Sequence, residues 1–265
     1  MSSSFLLDRF ASSDSPIHRL DPRVKVLSAV LAIFSNVFIG DGKWLAFAVV
    51  WLLILFVTQQ ATLNPIVLLK RSLIAIPFSL VAITLLFTVD GNALFSWEIA
   101  TFTLSATDAG LTRFLTIVIR SWLSVQIAIL LTMTTKLPDI LHALRHLKVP
   151  TILVSIIAFM YRYLQVLIDE AQRLLRARAS RSAAVSGHKS GGSLRWRAKV
   201  AGNMVGQLLL RSFERSDRVY NAMVSRGYRG EMLTMNAHHM RSKDWGFLGL
   251  CVIGIVLVQG IGRLL

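Results

Sequence analysis

The chain has a single cysteine, Cys251, and it sits inside an apolar run. One thiol cannot close a disulfide within the chain, and there is no CxxC pair to hold a metal. Charge is scarce. Only 16% of the 265 residues are charged, where soluble domains run near about 25%. Carboxylates are scarcest, with 14 Asp and Glu against 29 Lys and Arg, so few groups are available for acid–base chemistry. No GxxxxGK[ST] occurs, so the chain has no P-loop and is not itself an ATPase of that kind. The first 23 residues are polar and mixed in charge. They do not read as a cleaved signal peptide, and the first apolar run is expected to act as an uncleaved anchor.

What is present is hydrophobic surface. Apolar residues make up 54% of the chain, which makes lipid the solvent for much of it. The net charge of +15 would suit a nucleic-acid binder, but the apolar runs argue against one. A basic membrane protein uses its charge to fix topology and to sit on anionic lipid.

A spanning helix needs roughly 20 mostly apolar residues. Five stretches are candidates: 24–40, 44–58, 72–89 with Pro77 expected to kink it, 114–133 with Arg120 inside it, and 245–262. The first two are short. Loop charges set the orientation. Arg9, Arg19 and Arg23 precede the first span, and Lys70 and Arg71 lie in the loop 59–71. The loop 90–110 has no lysine or arginine, while 135–243 carries 19 against six Asp and Glu. These signs alternate consistently if the N-terminus and the long basic region are cytoplasmic. The expected fold class is therefore all-α: a polytopic, multi-pass protein of the cell inner (plasma) membrane. About five transmembrane helices are joined by long amphipathic cytoplasmic coupling helices. Three regions follow: 1–134, an N-terminal bundle of about four spans; 135–243, a cytoplasmic or interfacial coupling domain; and 244–265, a C-terminal transmembrane helix.

Within the basic region, LPDILHALRHLKVP (137–150) predicts a short helix bracketed by prolines, with Ile140, Leu141, Leu144 and Leu147 on one face. The segment 151–181 predicts one long helix, apolar at its start and basic at its end. Its apolar part, 151–168, is an alternative sixth span interrupted by Arg162. Residues 180–197 are rich in serine and glycine and read as a linker. From about 198 to 226, Met204, Leu208, Phe213, Val219, Tyr220 and Met223 recur at near-helical spacing. That is an amphipathic helix, not a span.

Both long helices are predicted to end alike. Gly227 is a natural helix stop, because glycine takes the left-handed conformation. It leaves Arg226 in the last turn beside unpaired carbonyls, where a cation is favoured by roughly 0.3–1 kcal/mol. That alone is a sufficient structural reason for one arginine. A second small-Arg-small triplet, Ala177-Arg178-Ala179, closes the other helix. Arg178 follows Asp169 by nine residues, as Arg226 follows Asp217. Small neighbours let a guanidinium enter a groove, and its rigid donor fork suits a carboxylate. A pair of such pegs predicts two similar sockets, hence a dimeric partner.

With these residues the chain resembles the transmembrane T component of energy-coupling factor (ECF) transporters, most closely the cobalt-type CbiQ family. That family carries two Ala-Arg-Gly-like motifs at the ends of coupling helices. They match Ala177-Arg178-Ala179, which lacks the terminal glycine, and Ser225-Arg226-Gly227, which lacks the leading alanine. HRLDPRVKVL (18–27) and ERSDRVYNAMVSRGYRGE (214–231) are also similar. The resemblance implies a non-catalytic scaffold without a cofactor that couples ATP hydrolysis in partners to uptake of cobalt ions. Nickel or a vitamin are the alternative substrates. It implies as partners two ATP-binding-cassette subunits (CbiO-like) and a substrate-binding membrane subunit (CbiM-like, with or without a CbiN-like companion).

Other residues carry weaker signals. His142 and His146 are four apart on a helix, a metal-compatible spacing, yet no third ligand joins them at a suitable offset. His238 and His239, near Met235 and Met240, read as a polar loop. Arg120 calls for a partner, either the Asp108 carboxylate or a backbone carbonyl, because charge inside a span is costly. Trp44, Trp97, Trp196 and Trp245 stand near expected membrane boundaries. Lys189 to Lys199 reads as a lipid-facing surface. Two readings of other classes remain: a membrane enzyme acting on anionic lipid head groups, and a membrane tether for nucleic acid, with its steep salt dependence.

Overall fold

The structure is a computed structural model that describes residues 15–99, 102–181, 193–230 and 240–264, with side chains at all of these except 93–99, 102–106 and 264. Helices carry the architecture. They are α1 (Pro22–Val37), α2 (Trp44–Gln60), α3 (Pro65–Ser72), α4 (Ala75–Ser79), a 3-10 segment (Leu80–Thr84), α5 (Leu85–Thr88), α6 (Asp108–Thr134), α7 (Leu137–His146), α8 (Thr151–Arg181), α9 (Leu194–Ser225) and α10 (Ser242–Leu264). Between α5 and α6 a single antiparallel hairpin, β1 (Ala93–Ile99) and β2 (Phe102–Thr107), fills the expected outer loop.

Helix starts follow local chemistry. Asp21 Oδ1 accepts the Arg23 N–H at 2.9 Å ahead of Pro22, and Asn64 Oδ1 accepts the Ile66 N–H at 2.9 Å ahead of Pro65. Both are side-chain caps followed by a proline whose missing N–H costs the helix nothing. The Asn64 cap starts the third apolar segment at Pro65, so Lys70 and Arg71 lie on helix rather than in the expected loop. That segment is interrupted at residues 73–74, one turn before Pro77. A proline ring clashes with the carbonyl four residues back, here Leu73.

By length and composition, Pro65–Thr88, α6, α8 and α10 can each cross a membrane, and α2 is a shorter apolar helix. The result is an all-α polytopic membrane protein. With 16 residues, α1 extends about 24 Å at 1.5 Å per residue, less than the ~30 Å hydrocarbon core.

Contacts divide the chain into two compact units. One holds residues 9–143 and 237–265; the other holds 144–236 with 1–8. In the first unit α6 is central and packs on α1 to α5, while α10 packs on α1 and α2. Its core gathers Ile39, Phe47, Ile54, Leu68, Leu123 and Val258. Polar ties bind the helices where water cannot compete. Gln259 Nε2 donates to the Ser35 carbonyl at 2.7 Å, Asn36 Nδ2 to the Arg120 carbonyl at 2.9 Å, and Trp122 Nε1 to Ser72 Oγ at 2.8 Å. At Gly110 a Cβ would come within 2.8 Å of the Leu85 and Leu86 carbonyl oxygens, so glycine is what lets α6 start so close to α5.

Arg120 has the predicted kind of partner but not the predicted carboxylate. Its NH2 donates to the Ile39 carbonyl at 2.6 Å and lies 3.4 Å from Asp41 Oδ1. Asp108 is twelve residues away on the same helix, about 18 Å along the axis, beyond side-chain reach. Asp41 also lies 3.6 Å from Arg113, so one carboxylate in the α1–α2 turn serves two arginines of α6.

Candidate functional site

The second unit is built on α8 and α9, which run antiparallel. α8 starts at Thr151 directly after Pro150, whose carbonyl accepts the Leu153 and Val154 N–H groups at 3.0 and 3.3 Å. α9 starts four residues earlier than the hydrophobic pattern indicates. Ser193 Oγ accepts the Trp196 N–H at 3.4 Å, an N-cap inside a stretch that reads as linker.

Three contacts set the pairing. Near the end of α8, Arg178 lies over the Trp196 ring at 6.0 Å from the centroid. At mid-length, Glu170 accepts from Arg211 at 2.9 Å and from Arg215 at 2.7 Å. These two hydrogen bonds, Arg215 foremost, hold the Glu170 carboxyl below the usual carboxylate range. Near the start of α8, Phe159 meets Tyr228 edge-on at 6.3 Å and stacks with Tyr163 at 6.4 Å.

The C-terminal stop of α9 is fully formed. Arg226 is the cap residue, Gly227 takes φ +83, the Gly227 N–H donates to Val224 O at 2.9 Å, and the Tyr228 N–H donates to Met223 O at 3.0 Å. This is a Schellman arrangement, and it points the chain away from the axis while satisfying the last carbonyls. Tyr228, held on Phe159, then fixes that stop against α8.

The six expected site residues are placed as follows. Ala177 and Ala179 are exposed on the last turn of α8 and Arg178 between them is half-buried. Ser225, Arg226 and Gly227 are all exposed at the tip of α9. The two arginines are not brought together. Arg178 is beside Trp196 at the head of α9, and Arg226 is 30 residues further on, about 45 Å along a helix axis. The nine-residue spacing to Asp169 and Asp217 is no pairing either. Nine residues are about two and a half turns, which puts each aspartate on the opposite face from its arginine.

Sequence reasoning missed the Glu170 clamp and the Arg178–Trp196 contact, since both join residues of different helices. Exposed apolar side chains lie along the pair, including Ile156 at 57%, Met160 at 61%, Leu210 at 65% and Phe213 at 62%. Among the described residues no three His, Cys, Asp or Glu form a group able to hold a metal ion. His238, His239 and Met235 lie outside the described residues.

Long apolar helices, joined to a paired basic helical unit, define a multi-pass membrane protein. The chain belongs to the CbiQ cobalt transport protein family, whose profile matches residues 13–236. It is 27% identical over 276 residues to the energy-coupling factor transporter transmembrane protein EcfT of Listeria innocua, covering 98% of each chain. It is 30% identical over 242 residues to EcfT of Acidaminococcus fermentans, covering 87% of this chain and 85% of that one. An uncharacterized protein of Methanocaldococcus jannaschii is 24% identical over 258 residues, with 96% and 85% covered. The expected kinship with the membrane T component of ECF transporters is thereby met.

Proposed function

We propose that this T component couples ATP hydrolysis by two partner ATPase subunits to uptake of cobalt ions through a substrate-binding membrane subunit. The observation that carries the reading is the placement of Arg178 and Arg226 at opposite ends of the α8–α9 pair. Two charged forks about 45 Å apart along a stiff helix suit two sockets on two subunits, not one binding site. When ATP-bound subunits close, the distance between their sockets changes. Helices clamped to one another by Glu170 transmit that change as rotation or bending, because packed elements switch between discrete arrangements.

In this reading Ala177, Arg178, Ala179, Ser225, Arg226 and Gly227 form the ATPase-coupling site. The exposed apolar faces of α8 and α9 receive the substrate-binding subunit or lipid. The N-terminus is cytoplasmic and residues 135–243 are cytoplasmic or interfacial, with the apolar start of α8 lying partly in the membrane, in keeping with the excess of lysine and arginine there. Cobalt is the substrate named by the family; nickel or a vitamin would use the same scaffold, since selectivity then resides in the partner.

The test is reconstitution. The chain, co-expressed with its ATPase and substrate-binding subunits and placed in vesicles, should take up Co²⁺ only with ATP hydrolysis. Omission of this chain should abolish uptake while the isolated ATPases still bind nucleotide. ATP-dependent uptake without the chain would overturn the proposal.

A further inference from the structure

A cavity of about 920 Å³ opens in the first unit between α1, α2, α6 and α10. Its walls are mainly apolar, with Ala29, Ala32, Leu53, Val57, Leu130 and Ile255 among them. Its mouth lies where α1 and α10 begin and where α2 and α6 end. There the lining turns basic, with Arg19, Lys25, Arg241 and Lys243.

The charges at this mouth are not all alike. Lys25 is buried and committed to the protein, donating to the His18 carbonyl at 3.0 Å and the Thr134 carbonyl at 3.2 Å. Asp244 is buried too, but its two oxygens already accept the N–H groups of Asp21 at 3.1 Å and Arg241 at 2.7 Å. The side chains of Arg241 and Lys243 are exposed and form no ion pair among the described residues. A cationic rim therefore tops an apolar channel.

The depth of the channel selects its occupant. Its lining runs from Lys25 to Ser35 on α1 and from Val50 to Gln60 on α2. Each is a rise of ten residue steps, or about 15 Å, and the lining on α10, from Lys243 to Val258, covers about 22 Å, all short of the ~30 Å hydrocarbon core. A partner's transmembrane helix would need the whole thickness. A lipid from one leaflet needs half of it, with its phosphate at the rim.

We propose that this cavity binds one anionic phospholipid, with an acyl chain along α2 and α10 and the phosphate held by Arg241 and Lys243. Such a lipid would fill the gap between α10 and the rest of the bundle and make the transporter respond to membrane composition. The proposal is independent of which substrate is carried.

Native mass spectrometry of the delipidated full-length protein tests it. The protein is titrated with phosphatidylglycerol or phosphatidylcholine of identical acyl chains. Phosphatidylglycerol should bind on the order of tenfold more tightly, because it is net anionic beside two cations whereas the choline ammonium of phosphatidylcholine offsets its phosphate. The exposed-residue variant Arg241→Gln/Lys243→Gln should lose that preference, while Arg218→Gln on α9 combined with Arg229→Gln just beyond it keeps it. Ala32→Phe, which occupies the channel, should weaken both lipids. Equal binding of the two lipids to the wild type would overturn the proposal, as would a preference that survives in Arg241→Gln/Lys243→Gln. Displacement by glycerol phosphate at the same concentration as whole lipid would reduce the site to an anion site and overturn it as well.

Discussion

The Arg178 guanidinium lies over the face of the Trp196 indole, 6.0 Å from the ring centroid. The contact joins the last turn of α8 to the first turn of α9, across the stretch of sequence that separates them. A cation over an aromatic face is held by the ring quadrupole, worth about 0.5–1 kcal/mol at exposed sites. It consumes none of arginine's hydrogen-bond donors. Trp196 therefore fixes the direction of the Arg178 side chain at the end of α8.

Trp196→Ala should accordingly weaken ATPase association by a few-fold, in line with an interaction of about 0.5–1 kcal/mol. Trp196→Phe should recover part of the loss, because the smaller ring keeps a negative face. Titration of the ATPase subunits against the reconstituted variants measures both.

Glu170 should make the α8–α9 pair sensitive to acid and salt. Its carboxyl is held below the usual range by hydrogen bonds from Arg215 and Arg211. A depressed pKa means that the contribution is present above the unfolded carboxylate pKa and is lost as pH falls through the lowered folded value. Arg211 is 54% exposed, so salt should loosen its arm more than that of Arg215 at 31%. Distances between spin labels on α8 and α9 should lengthen on acidification in the wild type. In Glu170→Gln they should be independent of pH over the same interval.

Gly227 is needed for its backbone, not for room. A Cβ there would meet nothing within 4 Å, yet φ is +83. A β-branched residue in this left-handed conformation costs about 1–2 kcal/mol, so Gly227→Val should fray the last turn of α9. Hydrogen exchange at the Gly227 and Tyr228 amides should speed up, and coupling through Arg226 should fall with it. Gly227→Asn should be milder, since asparagine tolerates that conformation.

Much of the fold was legible where chemistry is local. Pro150 and the polar stretch after Arg181 bound α8 at the expected residues, and Gly227 ends α9 as its sequence implies. The hairpin of β1 and β2 escaped because its residues were read for loop charge rather than for a two-residue alternation, visible in Phe95-Ser96-Trp97-Glu98-Ile99. The start of α9 was hidden because Ser193 is both a linker-type residue and an N-cap. Of the candidate site, the exposed tips were legible as small-Arg-small triplets. Their separation was not, because it depends on the antiparallel course of α8 and α9 and on Glu170, Arg211 and Arg215 meeting across some 40 residues of chain. Of the two partners expected for Arg120, the backbone carbonyl is met by Ile39 and the Asp108 carboxylate is not, because a shared helix fixes distance along the axis and only folding brings Asp41 near.

The most direct measurement is association of the ATPase subunits with Arg178→Glu/Arg226→Glu in reconstituted vesicles, read together with ATP-driven metal uptake. The account predicts a protein that still inserts and folds, because both tips are on the surface, but that neither retains the ATPases nor transports. Wild-type association and uptake by the doubly reversed protein would contradict it.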